Sequence, residues 1–281
     1  MTRPDNVAVV VPTRDRPEQL AACLAALTPQ LLPGDELLVV DSASRRPVRS
    51  QAPVQRAALP GASLARNLGW RATTAPVVAF VDDDVQVADG WRTALAAALV
   101  GVDLVCGRVA VPPSQAGAER PVAVTADVPE QLMDAASELR GVSANLTVRR
   151  SSLEAVGGFD ERLGPGTWSR AGEDLELQDR LLTAGHRGRY APSVLAFHDQ
   201  WRSRRQLLRL DYGYGMGAGA RAAWAGGPRG RHLLREALWD NGIGTVWGDL
   251  RRGYQFGVAT ALVRASGTVV GAARGLRRRS L

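Results

Sequence analysis

Three consecutive carboxylates, Asp82-Asp83-Asp84, follow the apolar run Val77 to Val81. Acids crowded together repel one another, and such a cluster is costly unless a cation or hydrogen-bond donors offset it. Their hard oxygens suit Mg²⁺ or Mn²⁺, which bind one or two carboxylates together with substrate phosphates. The alternative is a cluster of helix-capping aspartates in a surface turn. Two other apolar runs also end in polar groups. Val7 to Val11 leads through Pro12 to Thr13-Arg14-Asp15, and Leu37 to Val40 leads to Asp41-Ser42. Glu173-Asp174 opens a helical stretch. A carboxylate there is either a proton acceptor facing a pocket or an N-terminal acid favoured by the helix dipole. His198, after a strand-like segment, is either a metal ligand or an ordinary hydrogen-bonded imidazole. Trp168 and Trp201 are suited to stacking on a sugar or base, or to core packing.

The elements that must position these groups follow from the apolar pattern. Val7 to Val11, Leu37 to Val40, Val77 to Val81 and Leu104 to Val109 are short continuous apolar runs, as expected of strands buried on both faces. Helical spacing covers Pro17 to Leu27, residues 62–73 and Trp91 to Val100. Strands alternating with helices predict an α/β fold with a central, mostly parallel sheet and right-handed crossovers. In such sheets ligands bind beyond the carboxyl ends of the strands, where the three polar endings fall. Residues 112–130 show little periodicity and are expected to form a loop, a common place for lids. A strand is expected at 141–149, short helices at 151–156 and 173–184, and one or two strands within 188–198. After Trp201 the pattern is helical. The run Tyr212 to Gly219 is rich in small residues that permit close backbone approach, and it lacks the Lys-Ser/Thr ending of a phosphate loop.

All 35 basic residues are Arg, and the chain has no Lys. The charge is unevenly divided. Residues 1–199 hold 20 Arg against 24 Asp and Glu, and residues 200–281 hold 15 against 4, which is −4 and then +11. A basic end of this kind suits an anionic partner, either a membrane surface or a charged substrate, or is a solvated Arg-rich helical surface. No nucleic-acid-binding motif accompanies it. Cys23 and Cys106 each lie in apolar surroundings, which predicts buried thiols in a reducing compartment. The N-terminus lacks the apolar core of a signal peptide. No uncharged apolar run reaches the ~18 residues of a spanning helix. The expected location is therefore cytoplasmic, with peripheral attachment to the inner face of the cell membrane.

The ordered segments VAVVVPTRDRP, LLVVDSAS, GASLARNLGW and VVAFVDDDV resemble the nucleotide-binding half of family 2 glycosyltransferases. SANLTVRRSSLEAVGGFDERL and AGEDLELQDRLLTAG resemble the acceptor-side half, so the resemblance spans roughly residues 5–200. It implies a Rossmann-like GT-A domain over 1–200, with its nucleotide-binding half to about 110 and its acceptor half over 111–200. A basic helical region over 201–281 would follow it. It further implies an inverting, metal-assisted transferase of the hexosyl or deoxyhexosyl class, using a nucleotide diphosphate sugar. By the same resemblance, Pro12, Thr13, Asp15, Asp41, Arg66, Asp82 and Asp83 bind the donor, with Asp83 in the variable middle position of the DxD motif. Asp84 holds Mg²⁺ or Mn²⁺, and His198 sits where some relatives place a further ligand. Asp174 is the general base, with Glu173 before it. Asp160, Trp168 and Trp201 are acceptor-side candidates. The acceptor is open between a lipid-linked glycan, a polysaccharide and a small metabolite.

The sequence departs from the family pattern in two places. The usual Asp-Asp-Gly-Ser is here Asp41-Ser42-Ala43-Ser44, so one acid is missing. Gln200-Trp201-Arg202 stands where processive members carry Gln-x-x-Arg-Trp, which argues against a processive polymerase. A nucleotidyltransferase would need a Gly-rich, Lys-containing first loop, and this loop has no Lys. A catalytically lapsed nucleotide-sugar-binding or membrane-docking module is the remaining alternative, opposed by the presence of both the acidic triplet and Glu173-Asp174.

Overall fold

The first apolar run forms β1 (Val7–Thr13), every residue of which is buried. Its alternate side chains enter two different cores. Val7, Val9 and Val11 face one with α1 (Pro17–Leu27), while Val10 faces the other. A strand covered on both sides has no polar face, which is why it reads as an unbroken apolar run. β2 (Glu36–Asp41), β3 (Val54–Arg56), α2 (Ala62–Ala72) and β4 (Val77–Val81) follow. β5 (Val85–Val87), α3 (Trp91–Ala98), β6 (Leu104–Ala110), β7 (Gln131–Met133), β8 (Asn145–Arg149) and α4 (Arg150–Val156) come next. α5 (Glu173–Thr183) and β9 (Gly188–His198) complete the sheet region. The computed structural model describes residues 5–117 and 121–279. It divides into two units, Met1–Phe159 with Leu177–Gln200, and Asp160–Glu176 with Trp201–Leu281.

In the first unit the sheet order is β3-β2-β1-β4-β8-β6-β9-β5, with β7 on β9. The β3-β2-β1-β4 half is parallel, as the alternation of strands and helices predicts. The other half is mixed. β8 runs antiparallel to both β4 and β6, and β9 runs parallel to β6 but antiparallel to β5 and β7. The connection explains the change of direction. Parallel neighbours are joined by crossovers, whereas residues 111–144 hold no α-helix among those described. The predicted loop at 112–130 has a short 3₁₀ turn at Pro113–Gln115, and its residues 118–120 lie outside the described residues. Its ends are tied down: Gln115 Nε2 donates to Asp199 at 2.6 Å, and the Val122 N–H donates to Gln200 at 2.8 Å. One core, around Trp91 and Leu95, packs α1 and α3 on one face of the sheet. The other, around Phe80 and Leu153, packs α2, α4 and α5 on the opposite face. Cys23 and Cys106 are buried and unpaired with each other.

An internal ion pair joins α3 to the loop before β2. Arg92 of α3 donates to Asp35 through Nε at 2.8 Å and Nη2 at 3.0 Å, with side chains 3% and 1% exposed. Asp35 also accepts the Val7 and Leu32 N–H groups. Burial opposes its ionised form, but Arg92 and the two backbone donors outweigh this and hold the carboxyl below its usual range. Arg92→Ala leaves that buried carboxylate without its counter-ion, so we expect a loss of about 3–5 kcal/mol in denaturant unfolding. The wild-type contribution has a definite sign with pH. A depressed carboxyl stabilises above its unfolded pKa and loses that contribution as pH falls through the folded value. The difference between wild type and variant should therefore narrow in acid.

Beyond residues 160–172 the described part of the second unit is mostly helical. α6 (Arg204–Ala225) starts at a capping box formed by Ser203 and Gln206, which satisfies two exposed N–H groups. α7 (Gly227–Arg235), a π-type turn at Glu236–Ile243, α8 (Gly244–Arg251) and α9 (Gln255–Arg279) follow. The small-residue run lies on α6. Gly215 and Gly219 are set directly against the α9 backbone at Arg264 and Thr268, where no Cβ fits. Between these helices Arg264 Nε donates to Asp211, itself 1% exposed, at 2.9 Å.

Candidate active site

β2, β1 and β4 lie side by side and parallel, so their carboxyl ends open on one edge. Thr13 is the register partner of Asp41, and Asp82 follows the last residue of β4. The first two loops are interlocked. The Asp15 N–H donates to Ser44 Oγ at 3.0 Å, and the Arg45 N–H donates to Asp15 Oδ1 at 2.9 Å. Asp15 and Ala43 hold positive φ, 55° and 54°. Such conformations cost energy in non-glycine residues and cluster at ligand-binding loops.

Asp41 is 1% exposed and turned into its own loop. Oδ1 accepts the Ser44 N–H at 2.8 Å, while Oδ2 accepts the Val48 N–H at 3.3 Å and a short bond from Arg56 Nη1. Burial opposes ionisation, but Ser44, Val48 and Arg56 outweigh it and keep the carboxyl below its usual range. Both oxygens are engaged within the protein, so the contact this structure displays for Asp41 is loop-shaping.

The acidic triplet is offset by cations and donors from three directions. Arg66, 3% exposed on α2, donates from Nη2 to Asp82 at 2.6 Å and lies over the Phe159 ring at 5.5 Å. Asp83 accepts from Thr13 Oγ1 at 2.7 Å and from Arg16 Nη1 at 2.8 Å. The same Arg16 nitrogen lies 3.1 Å from Asp84 Oδ2. Burial above all, with Asp84, raises the Asp83 carboxyl to about 6 against the pull of Arg16 and Thr13. Asp83 is therefore a structural node of the triplet, joining the first loop to the third. Arg16 was absent from the expected site. Its only sequence signal was its place in the loop that lines the pocket.

His198 reaches the triplet through sheet pairing. β9 runs antiparallel to β5 with His198 opposite Val85, and the Asp199 N–H donates to the Asp84 carbonyl at 3.0 Å. This places His198 Nε2 3.4 Å from Asp84 Oδ1, with both side chains 3% exposed. Gln200 Nε2 lies 2.9 Å from His198 Nδ1 and fixes the ring from behind, as outer hydrogen bonds do for metal-ligating histidines. Among the described residues no group of three His, Cys, Asp or Glu side chains is assembled for a metal. One carboxylate and one imidazole nonetheless suit a divalent cation whose other ligands are substrate phosphates and water.

The remaining candidates belong to the second unit. Glu173 and Asp174 form the first turn of α5, with Glu173 5% exposed and Asp174 Oδ1 accepting the Leu175 N–H at 2.8 Å. The preceding loop is seated on α6. Gly172 has φ 95°, and Gly217 is packed so tightly on Ala171 that any side chain there would displace the loop. Trp168 and Trp224 meet edge to face at 6.0 Å and line a cleft of about 520 Å³ with Glu161, Arg162, Thr167 and Arg278. Arg162 lies over Trp224 at 4.4 Å and Arg278 over Trp168 at 5.3 Å. Asp160 is held by Arg162 at 2.7 Å. Trp201 is 37% exposed, with the Arg202 guanidinium 4.6 Å over its ring.

The chain is similar to known glycosyltransferases. A Mycobacterium tuberculosis "Pre-mycofactocin glycosyltransferase" is 31% identical over 230 residues, 75% of this chain and 46% of its own length. The chain thus spans about half of that relative. "Glycosyltransferase AglE" of Haloferax volcanii is 29% identical over the same share of this chain and 72% of its own. Among solved structures, the mannosyltransferase PcManGT of Pyrobaculum calidifontis, in complex with GDP-Man and Mn²⁺, superposes with a TM-score of 0.61 at 16% identity. It covers 99% of this chain and 89% of its own. S. aureus TarS in complex with UDP-GlcNAc gives 0.59 at 13%, covering 98% and 91%. The fold is GT-A. The model of the family described as "Glycosyl transferase family 2" matches residues 8–157, the stretch that carries all three loops of the acidic edge, and the chain belongs to that family.

Proposed function

We propose that the protein is an inverting, non-processive glycosyltransferase that moves a hexosyl or deoxyhexosyl group from a nucleotide diphosphate sugar to an acceptor hydroxyl. One observation carries this reading. The carboxyl ends of three parallel strands converge on an acidic triplet, buried at Asp83 and Asp84, that is balanced by two arginines and joined to a histidine. Pro12, Thr13, Asp15, Asp41, Arg66, Asp82 and Asp83 form or support the donor pocket. Asp84 and His198 are the residues that would hold Mg²⁺ or Mn²⁺. When bound, such a cation supplies Lewis-acid neutralisation of the charge growing on the departing diphosphate. Arg66 adds a fixed positive charge beside the pocket.

The chemistry is a single displacement. The acceptor oxygen bonds to the anomeric carbon as the bond to the diphosphate oxygen breaks, which inverts that centre. The acceptor proton passes to the Asp174 carboxylate, and Glu173 supports the turn that presents it. Trp168, with Trp224, offers flat apolar walls to an acceptor, and Asp160 and Trp201 complete the acceptor-side set. A lipid-linked glycan, a polysaccharide and a small metabolite all remain compatible acceptors. The corresponding location is cytoplasmic, with peripheral attachment at the inner membrane face through the +11 charge of residues 200–281.

The test is calorimetric binding of a panel of UDP, GDP and dTDP sugars, with and without Mn²⁺, followed by transfer or donor hydrolysis. We expect one donor class to bind in a metal-dependent way and to be turned over. Binding without turnover, to any acceptor or to water, would favour the lapsed module instead.

A further inference from the structure

The second unit exposes large apolar side chains that its own core leaves out. Trp239 and Trp247 are 61% and 72% exposed, and Ile243 and Leu250 are 44% and 53% exposed. Ile243, Trp247 and Leu250 recur at intervals of four and three along α8 and the residue before it, the spacing that gathers side chains on one side of a helix, and Trp239 lies in the π-type turn before them, across the kink at Gly242. A second stripe lies on α9. Leu262, Val269 and Leu276 are seven residues apart and each more than half exposed, whereas Gly267, Gly271 and Gly275 of the same helix pack on α6. Exposed apolar groups gathered in this way mark an interaction surface.

Charge decides between the two obvious occupants. Residues 201–281 carry 15 Arg against 4 Asp and Glu, a net +11. Exposed arginines flank the apolar stripes at Arg231, Arg235, Arg251, Arg274 and Arg277. A second copy of the chain would oppose one strongly positive surface to another, which like-charge repulsion disfavours. An anionic lipid surface satisfies both features. Arginines bind the headgroups while their stems lie along apolar surface. Indoles favour the boundary between headgroups and acyl chains. By length and composition α9 could also cross a membrane. Its paired Arg264 at mid-helix and its glycine face sealed on α6 suit a helix lying along the surface instead.

We propose that the second unit docks peripherally on an anionic membrane by inserting Trp239 and Trp247 into the headgroup boundary, with the arginines of α7, α8 and α9 held by lipid phosphates. This adds an insertion face to the attachment inferred above from charge. It does not depend on the chemistry of the donor pocket.

The experiment is sedimentation of the full chain with phosphatidylcholine vesicles, with and without about one third phosphatidylglycerol, at low salt. We expect binding to the anionic vesicles alone. Trp239→Ala and Trp247→Ala should each weaken it about tenfold, the worth of one buried indole. Tryptophan emission of the wild type should shift to the blue on binding and be quenched by brominated acyl chains, a readout that needs no variant. Three results would overturn the proposal. One is a wild type that stays in the supernatant. Another is vesicle binding without quenching and unchanged by both substitutions, which would mean headgroup attraction alone. The third is a dimer in light scattering that the same substitutions dissociate, which would assign the face to a second copy.

Discussion

Asp174→Asn is expected to lower kcat for transfer by about 10²–10⁴-fold, the usual contribution of a positioned general base, while the donor Kd stays within about twofold. The substitution is chosen for what it keeps. Asp174 Oδ1 accepts the N–H of Leu175 at 2.8 Å, and the amide oxygen of Asn can accept the same bond, so the first turn of α5 retains its local hydrogen bond. What Asn removes is the ability to take a proton and the negative charge at the helix N-terminus. The charge alone is worth about 0.3–1 kcal/mol of helix stability, which thermal unfolding would register separately. Initial rates with saturating donor, together with donor calorimetry, distinguish the cases. A kcat within threefold of wild type would make Asp174 an ordinary N-terminal helix acid and remove it from the mechanism.

Asp84→Ala should have a comparably large effect, on a different observable. Asp84 is 4% exposed and stands between His198 at 3.4 Å and Arg16 at 3.1 Å. Removing its carboxylate deletes the one acid of the triplet that faces His198. It also removes one of the carboxylates that offset Arg16. We expect Mn²⁺ affinity, measured by electron paramagnetic resonance in the presence of the donor nucleotide, to fall about 10²-fold or more. That is the scale of losing a ligand from a cation doing Lewis-acid work. Donor binding should lose its metal dependence in parallel. Unchanged Mn²⁺ affinity would transfer the site to other groups and leave Asp84 a structural acid balanced by Arg16.

The two predictions rest on parts of the chain that differ in how far they could be read in advance. β1, β2 and β4 were legible because strands buried on both faces are unbroken apolar runs, and their polar endings mark the ligand edge without knowledge of any contact. The first turn of α5 was legible for a similar local reason, an acidic start to an amphipathic stretch. β3, β5 and β7 were not anticipated, since three residues are too few to show a period. The direction of β8 was equally hidden, because it depends on how residues 111–144 cross rather than on the strand's own residues.

Inside the site the division is sharper. Residue types marked the acidic triplet, the first loop and Asp174 as candidates, and the family resemblance supplied their expected roles. They did not show that Asp83, at the variable position, is held by Thr13 and Arg16, nor that burial and Asp84 raise its carboxyl against the pull of those two donors. Nor did they show that both oxygens of Asp41 are used by its own loop and Arg56. The approach of His198 to Asp84 needed the antiparallel register of β5 and β9. The helices after Trp201 make the same point in reverse: their sequence determined where charge and apolar residues fall, and only packing decided which apolar residues α6 and α9 bury in each other and which, Trp239 and Trp247 among them, are left to solvent. Local pattern sets an element's type because backbone and solvent act on each residue nearby. Partners far apart in sequence are chosen by the fold, since burial and hydrogen bonding depend on whatever the chain returns to the same place.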